Sequence, residues 1–238
     1  MTIHRGPSRL FVGRVCDYVR MTTTDPLAPF QWLNASEPGG PLGVIFSVAF
    51  FSGLDAAEVV RRFSRGAGSG QASDFGELNA KAEEFVNKTG GGNGGGYVGV
   101  FQTGRWCVAI EPYGWMTTVH EVVTGLSRGC EVLAVTRHDY AAEHSFEYAI
   151  DGTIVTGYRL RHPYERYGSN RDRLNSFMRE LGMGVDKPED QDAWDAAWDD
   201  NYSTAVPRGF ALAAKVTGVS FTPDMLGRPM LVGPIVER

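Results

Sequence analysis

Residues 106–129 constrain this chain most. They read W-C-V-A-I-E-P-Y-G-W-M-T-T-V-H-E-V-V-T-G-L-S-R-G. A β-branched apolar run, a Pro-Gly corner and a 3.6-period stripe in that order predict a buried strand, a turn and a short helix. Thr118 and Glu121 stand three apart, the spacing at which a threonine caps the first turn and a glutamate reaches back to it. Val122, Val123 and Leu126 put apolar groups on one face, and Gly129 sits where a left-handed residue ends a helix.

The same device occurs earlier. Asp55 and Glu58 repeat the cap spacing, Val59, Val60 and Phe63 the stripe, and Gly66 the stop. Glu58-Val-Val-Arg-Arg-Phe-Ser-Arg-Gly aligns with Glu121-Val-Val-Thr-Gly-Leu-Ser-Arg-Gly without a gap, and Val48-Ala49-Phe50 aligns with Val108-Ala109-Ile110. The reading is a strand–helix unit present twice. The competing reading is two amphipathic helices that share ordinary caps.

Around these units the chain reads as α+β. Residues 44–51 form a β-branched, aromatic strand, and residues 56–64 the first capped helix. A Gly/Ser-rich stretch near 66–96 reads as a mobile loop, with an apolar stripe at Leu78, Ala82, Phe85 and Val86 suggesting a helix inside it. The run from Gly90 to Gly96 satisfies G-x-G-x-x-G trivially, but neither phosphate-binding motif fits without a preceding strand or a following G-K-[ST]. Residues 97–102, 106–110, 131–136, 146–150 and 153–158 read as strands, the last two joined by Asp151-Gly152, a strong hairpin signal. Leu174, Phe177, Met178 and Leu181 mark a helix. Residues 191–201 mark another, and Pro207 suits the first turn of a last one. The expected fold is a mixed, mainly antiparallel sheet with helices mainly on one face. Residues 1–29 read as a weakly ordered extension and residues 30–238 as a single domain.

Composition narrows function by exclusion. A net charge of -5 does not favour nucleic acid. No apolar run has membrane-spanning length. Three cysteines without paired spacing suggest reduced thiols and a cytoplasmic setting, although a Cys107–Cys130 bridge is the alternative. His120-Glu121 lacks the second histidine that a zincin needs, since position 124 is threonine. His138, Asp139, Glu143, His144 and Glu147 read as a polar loop rather than a metal site. No cofactor, metal or catalytic residue is expected.

Two places remain for a partner. Glu111 ends a strand at a corner beside Trp115, where a carboxylate can pair with Arg166 or Arg128 or face a ligand. Residues 189–200 combine acids, Asp195 among them, with Trp194 and Trp198 at helical spacing, which suits either a core-covering helix or a docking stripe. Arg159, Arg161, His162, Arg166, Arg171 and Arg173 form an opposite basic patch that suits an anion or the acidic helix itself.

Glu111-Pro112-x-Gly114-Trp115, Leu126-Ser127-x-Gly129, Phe146-x-Tyr148-Ala149-x-Asp151-Gly152, Arg166-x-Gly168 and Val216-Thr217-Gly218-Val219 occur in that order. Together with Trp32-Leu33 and Ser52-Gly53-Leu54, this pattern resembles an uncharacterised family of actinomycete proteins, a domain of unknown function, over about residues 30–226. Tyr113 stands where the pattern expects Asn, and Arg171 where it expects Pro. The Gly-rich segment and the Trp194 helix look like insertions. The resemblance implies a fold and an immunity-like or sensor-like role, with no activity to carry over. The leading expectation is therefore a non-enzymatic binding protein with a protein partner. The alternative is an enzyme or small-ligand receptor with a cleft near Glu111, Trp115 and Arg166.

Overall fold

A computed structural model describes residues 25–34, 40–90 and 96–236. Eight strands form one sheet: β1 (Ile45–Ser52), β2 (Gln71–Ser73), β3 (Tyr97–Thr103), β4 (Trp106–Pro112), β5 (Glu131–His138), β6 (Ser145–Ile150), β7 (Thr153–Arg159) and β8 (Met230–Pro234). Their spatial order is β2-β8-β3-β4-β1-β5-β6-β7, and every ladder is antiparallel. The fold is α+β, and the parallel component that a mixed sheet would require is absent from the described ladders. β4 is buried along its whole length and β1 and β5 at all but their ends. Strands so placed need apolar cover on both faces, which explains their near-continuous Val, Ile, Ala and Phe content.

Helices supply that cover. α1 (Ala56–Phe63) and α3 (His120–Leu126) pack Val59, Val60, Phe63, Val123 and Leu126 over Ala49, Ala109 and Ala134. α2 (Phe75–Thr89), α4 (Asn175–Glu180) and α5 (Gln191–Thr217) lie on the other face, over Phe50, Val108, Ile110 and Leu133. Most of the helical mass thus sits on one face, but the duplicated helices sit on the opposite one. Short α1 and α3 fit there because the central strands present small alanines to them.

The duplicated unit has a definite geometry. Ala49 of β1 and Ala109 of β4 are ladder partners, with Val48 opposite Ile110 and Phe50 opposite Val108. A pseudo-two-fold axis between the two alanines therefore carries Val48-Ala49-Phe50 onto Val108-Ala109-Ile110. Each unit continues to a strand on the far side of the other unit's strand: β1–α1 leads, by way of β2 and α2, to β3, and β4–α3 leads to β5. With β2 and α2 set aside as an insertion, the four strands β3-β4-β1-β5 have the order and β-α-β-β-α-β connectivity of a ferredoxin-like double split. β6 and β7 extend it on one side, β8 and β2 on the other.

The caps differ between the copies. Asp55 is the N-cap of α1 and accepts from the Glu58 N–H at 2.7 Å, as its spacing predicts. Glu58 does not reach back; it pairs with Arg61 and, at 3.0 Å, with Arg62. Thr118 does not cap α3. It closes a 3-10 helix (Met116–Thr118), and Val119 is the N-cap without a side-chain bond. The Thr118 hydroxyl instead donates to the Trp115 carbonyl and meets the Thr136 hydroxyl at 2.9 Å. A buried hydroxyl partner competes successfully with the helix end for that side chain.

α5 is one helix, not two broken at Pro207. The carbonyl that Pro207 leaves without its N–H partner belongs to Ser203, an exposed residue, where water can serve it. Arg208 spans the same turn, donating to Asp200 at 2.6 Å, Asn201 at 3.2 Å and the Leu181 carbonyl at 3.1 Å. Gly209 lets the helix approach the sheet, since a Cβ there would stand 3.2 Å from Val135.

β2 and β8 are not among the strands expected from the sequence. The 66–96 stretch holds β2 and α2, and the glycine run at 91–95 lies outside the described residues. A 3-10 helix runs from Ala28 to Asn34 and buries Phe30 and Leu33, across the boundary expected at residue 30, while residues 1–24 of the expected extension lie outside the described residues. Asp151-Gly152 makes the expected β6–β7 turn with both residues at positive φ. Cys107 and Cys130 are free and buried. No helix among the described residues is long and apolar enough to cross a membrane.

The cap reading makes a measurable difference. Asp55→Ala leaves a first-turn N–H of α1 without its partner and is expected to lower unfolding free energy by about 1 kcal/mol in urea titrations.

Candidate functional site

The corner after β4 is built around Glu111. Ladder pairing puts Glu111 opposite Ser47, on the face that α1 and α3 cover. Tyr113 turns the chain with φ 56° and donates its N–H to the Ile45 carbonyl at 2.9 Å. Gly114 then passes directly over the Glu111 carboxyl, and a Cβ there would run into it. The carboxyl is fully buried and accepts the N–H groups of Met116 at 3.0 Å and Thr117 at 3.3 Å. It therefore ties the strand to the 3-10 helix that follows. Burial pushes its pKa up to about 7, against the two N–H bonds that favour the charged form.

Beside it lies a buried hydroxyl cluster. Ser47 contacts Thr117 and, at 2.7 Å, Thr136, which in turn meets Thr118. Its outer members, Thr118 and Thr136, line a cleft of about 320 Å³ together with Trp115, His138, Glu143 and Ser145. The Trp115 ring stands edge-on to His138 with centroids 4.6 Å apart. The structure thus places Trp115 in a cleft but seals Glu111 behind Thr117. Arg166 is elsewhere: it donates to the Val185 carbonyl at 2.8 Å and to Asp172 at 3.0 Å, holding two loops together. The expected cleft of Glu111, Trp115 and Arg166 does not form. Neither of the arginine pairings considered for Glu111 forms; backbone N–H groups take that place.

Residues 138–147 are not the polar loop expected: His138 ends β5, Glu147 lies within β6, and His144 and Glu147 are both buried. His138 accepts the Ala141 N–H, and buried His144 accepts the His138 N–H at 3.1 Å. Burial pushes the His144 pKa down to about 4. Glu147 is a second buried carboxyl, raised to about 7 by burial despite a bond from the Tyr167 hydroxyl. Its other oxygen has no partner among the described residues. The Tyr167 ring covers it by lying against Gly157, where a Cβ would collide with both.

The acidic helix is the N-terminal half of α5, capped by Asp190, which accepts from Ala193 at 2.9 Å. Its burial begins only at Asn201. Before that point the helix stands on a layer of side chains from the 160s loop. Trp194 packs edge-on against Tyr164 at 5.1 Å, and Trp198 meets His162 at 6.0 Å. The Arg161 guanidinium lies 5.9 Å from the Trp198 ring and 4.7 Å from the Tyr202 ring. Trp198 remains 48% exposed and Tyr202 62%. Asp195 is exposed and accepts from Gln191 at 2.8 Å. Trp194, Trp198 and Asp195 therefore come together, and neither tryptophan is part of the core. The basic patch meets this helix mainly through Arg161, by cation–π contact rather than ion pairing.

The model of a family of unknown function, DUF6461, matches residues 21–236. The chain belongs to that family. No curated protein and no solved structure matches it. Nothing local in the sequence marks Ser47, Thr117 and Thr136: strand register joins Ser47 to Thr136 across 89 positions, and the fold of the 3-10 helix onto the sheet brings Thr117 to Ser47 across 70. Tyr164 is unmarked too, because its partner Trp194 lies on a different element.

The buried acids set a pH dependence. Glu111 and Glu147 hold protons when folded that the unfolded chain releases above the ordinary 4.5. Stability from these groups is thus full below about 4.5 and is lost as pH rises through about 7. His144 acts oppositely, favouring the fold as pH rises from about 4 to 6.5. Glu111→Gln isolates one contribution. In denaturant titrations, the advantage of wild type over this variant is expected to shrink by roughly 3 kcal/mol at most between about pH 5 and pH 8.

Proposed function

We propose that this protein is a cytoplasmic, non-enzymatic binding protein, immunity- or sensor-like, that engages a protein partner through the outer half of α5. The observation that carries the reading is the ledge of Trp198 and Tyr202, both exposed and both held against Arg161. Trp, Tyr and Arg are the side chains that dominate interface energies. Here they are already fixed by mutual contact, which lowers the entropy cost of association. Asp192, Asp195 and Asp199 rim the ledge, so a partner with an apolar anchor and basic margin suits it. The net charge of -5 speaks against nucleic acid as that partner. The free Cys107 and Cys130 suit a reducing compartment.

A second reading rests on the cleft beside Trp115. It has an aromatic wall, an imidazole, and the hydroxyls of Thr118 and Thr136, features suited to a small polar ligand. Glu111 is sealed behind Thr117 and does not line that space, so the buried acid contributes shape rather than contact.

Affinity capture from the native host followed by mass spectrometry tests the first reading. Wild type and Tyr140→Ala, altered at an exposed tyrosine outside the ledge, are expected to retain the same partner. Trp198→Ala is expected to weaken that complex by about 2 kcal/mol, roughly thirtyfold. Full affinity in Trp198→Ala would remove the ledge as the interface.

A further inference from the structure

A second opening lies on the duplicated face, between α1 and α3. It is a groove of about 340 Å³, floored by Phe63, Met116, Leu126 and Ile235. Arg65 and Arg128 stand on its rim, both exposed, and neither forms a salt bridge among the described residues. These two arginines are equivalents. In the gapless alignment of the copies, Ser64-Arg65-Gly66 falls on Ser127-Arg128-Gly129. The duplication has therefore brought one cation from each copy to the same groove.

A third arginine shows how the space arises. Position 62 in the first copy corresponds to Gly125 in the second. Arg62 is anchored by Glu58 at 3.0 Å and donates across to the carbonyls of Leu126 at 2.6 Å and Arg128 at 2.8 Å. It thereby satisfies the otherwise open end of α3 and braces the two helices. Gly125 puts no side chain into the groove, and the floor stays open. The edge is completed by the chain after β8, where the Val236 N–H donates to the Phe63 carbonyl at 3.0 Å.

We infer that this groove binds a small amphipathic carboxylate, an apolar chain on the floor with its head between Arg65 and Arg128. Two unpaired guanidinium groups above an apolar floor favour a ligand with one anionic end and one apolar body. A guanidinium fork matches carboxylate geometry, and charge-assisted bonds at a partly desolvated rim are stronger than neutral ones. The site is separate from the α5 ledge and stands or falls independently of it. Arg62 serves the fold and is excluded as a probe.

The test is titration of the full chain with sodium octanoate, 1-octanol and octylammonium, followed by amide NMR shifts. Octanoate is expected to shift Val122, Gly125 and Val236. Octanol and octylammonium are each expected to bind at least about tenfold more weakly, because they lack the charge that the arginines recognise. The double variant Arg65→Gln/Arg128→Gln changes only exposed side chains. It should keep the wild-type thermal midpoint and lose at least about tenfold in octanoate affinity. Three results would overturn the assignment: octanol binding as tightly as octanoate, undiminished affinity in the double variant, or no groove shifts at any concentration below micelle formation.

Discussion

The pairing of β1 with β4 about Ala49 and Ala109 holds the rest of this structure in place. Both strands are central, so neither has an edge that water can satisfy, and both faces must be covered. Small residues on one face admit two short helices close to the sheet. Large residues on the other, Phe50, Val108 and Ile110, demand a wider cover. The part of α5 from Asn201 onward provides it, with a glycine where it crosses β5 and an arginine that ties it to the outer half. The thick and thin layers thus follow from which side chains alternate along two strands.

Burying acids in such a sheet is costly, and Glu111 shows how the cost is limited. Its carboxyl meets two backbone N–H groups that begin the 3-10 helix, so the group that loses water gains donors from an element that lacks acceptors. Gly114 is needed because the returning chain lies on that carboxyl. The E-P-x-G-W motif is then a structural corner: an acid to be capped over, a proline to leave the strand, a glycine to clear the acid. Trp115 is the part that faces outward, into the cleft.

Much of this was legible in the residues. Spacing alone marked Asp55, the Asp151-Gly152 turn and the two aligned helices, because each depends on neighbours within a few positions. Register across the sheet was not legible. Ser47, Thr117 and Thr136 are ordinary polar residues until three separate segments bring their hydroxyls together. Thr118 misled for the same reason: its cap spacing is local, but its partner on β5 is not. Pro207 misled because local preference would stop a helix that burial on both sides of it continues. Arg166 was drawn towards Glu111 by charge, whereas the loop that carries it folds onto Val185 and Asp172.

The duplication matters most where the copies disagree. At the cap, aspartate in one copy becomes threonine in the other, and the freed threonine joins a buried cluster and the cleft beside it. At the second helix turn, Arg62 in one copy faces Gly125 in the other, and the arginine crosses over to complete its partner's helix end. Were both copies to carry arginine at that position, two like charges would crowd the helix interface. With glycine in both, the end of α3 would lose its donor. One of each leaves the helices braced and space between them, while Arg65 and Arg128, unchanged in both copies, keep that space positive. The two positions at which the copies differ thus line the two clefts, Gly125 the one between the helices and Thr118 the one beside Trp115.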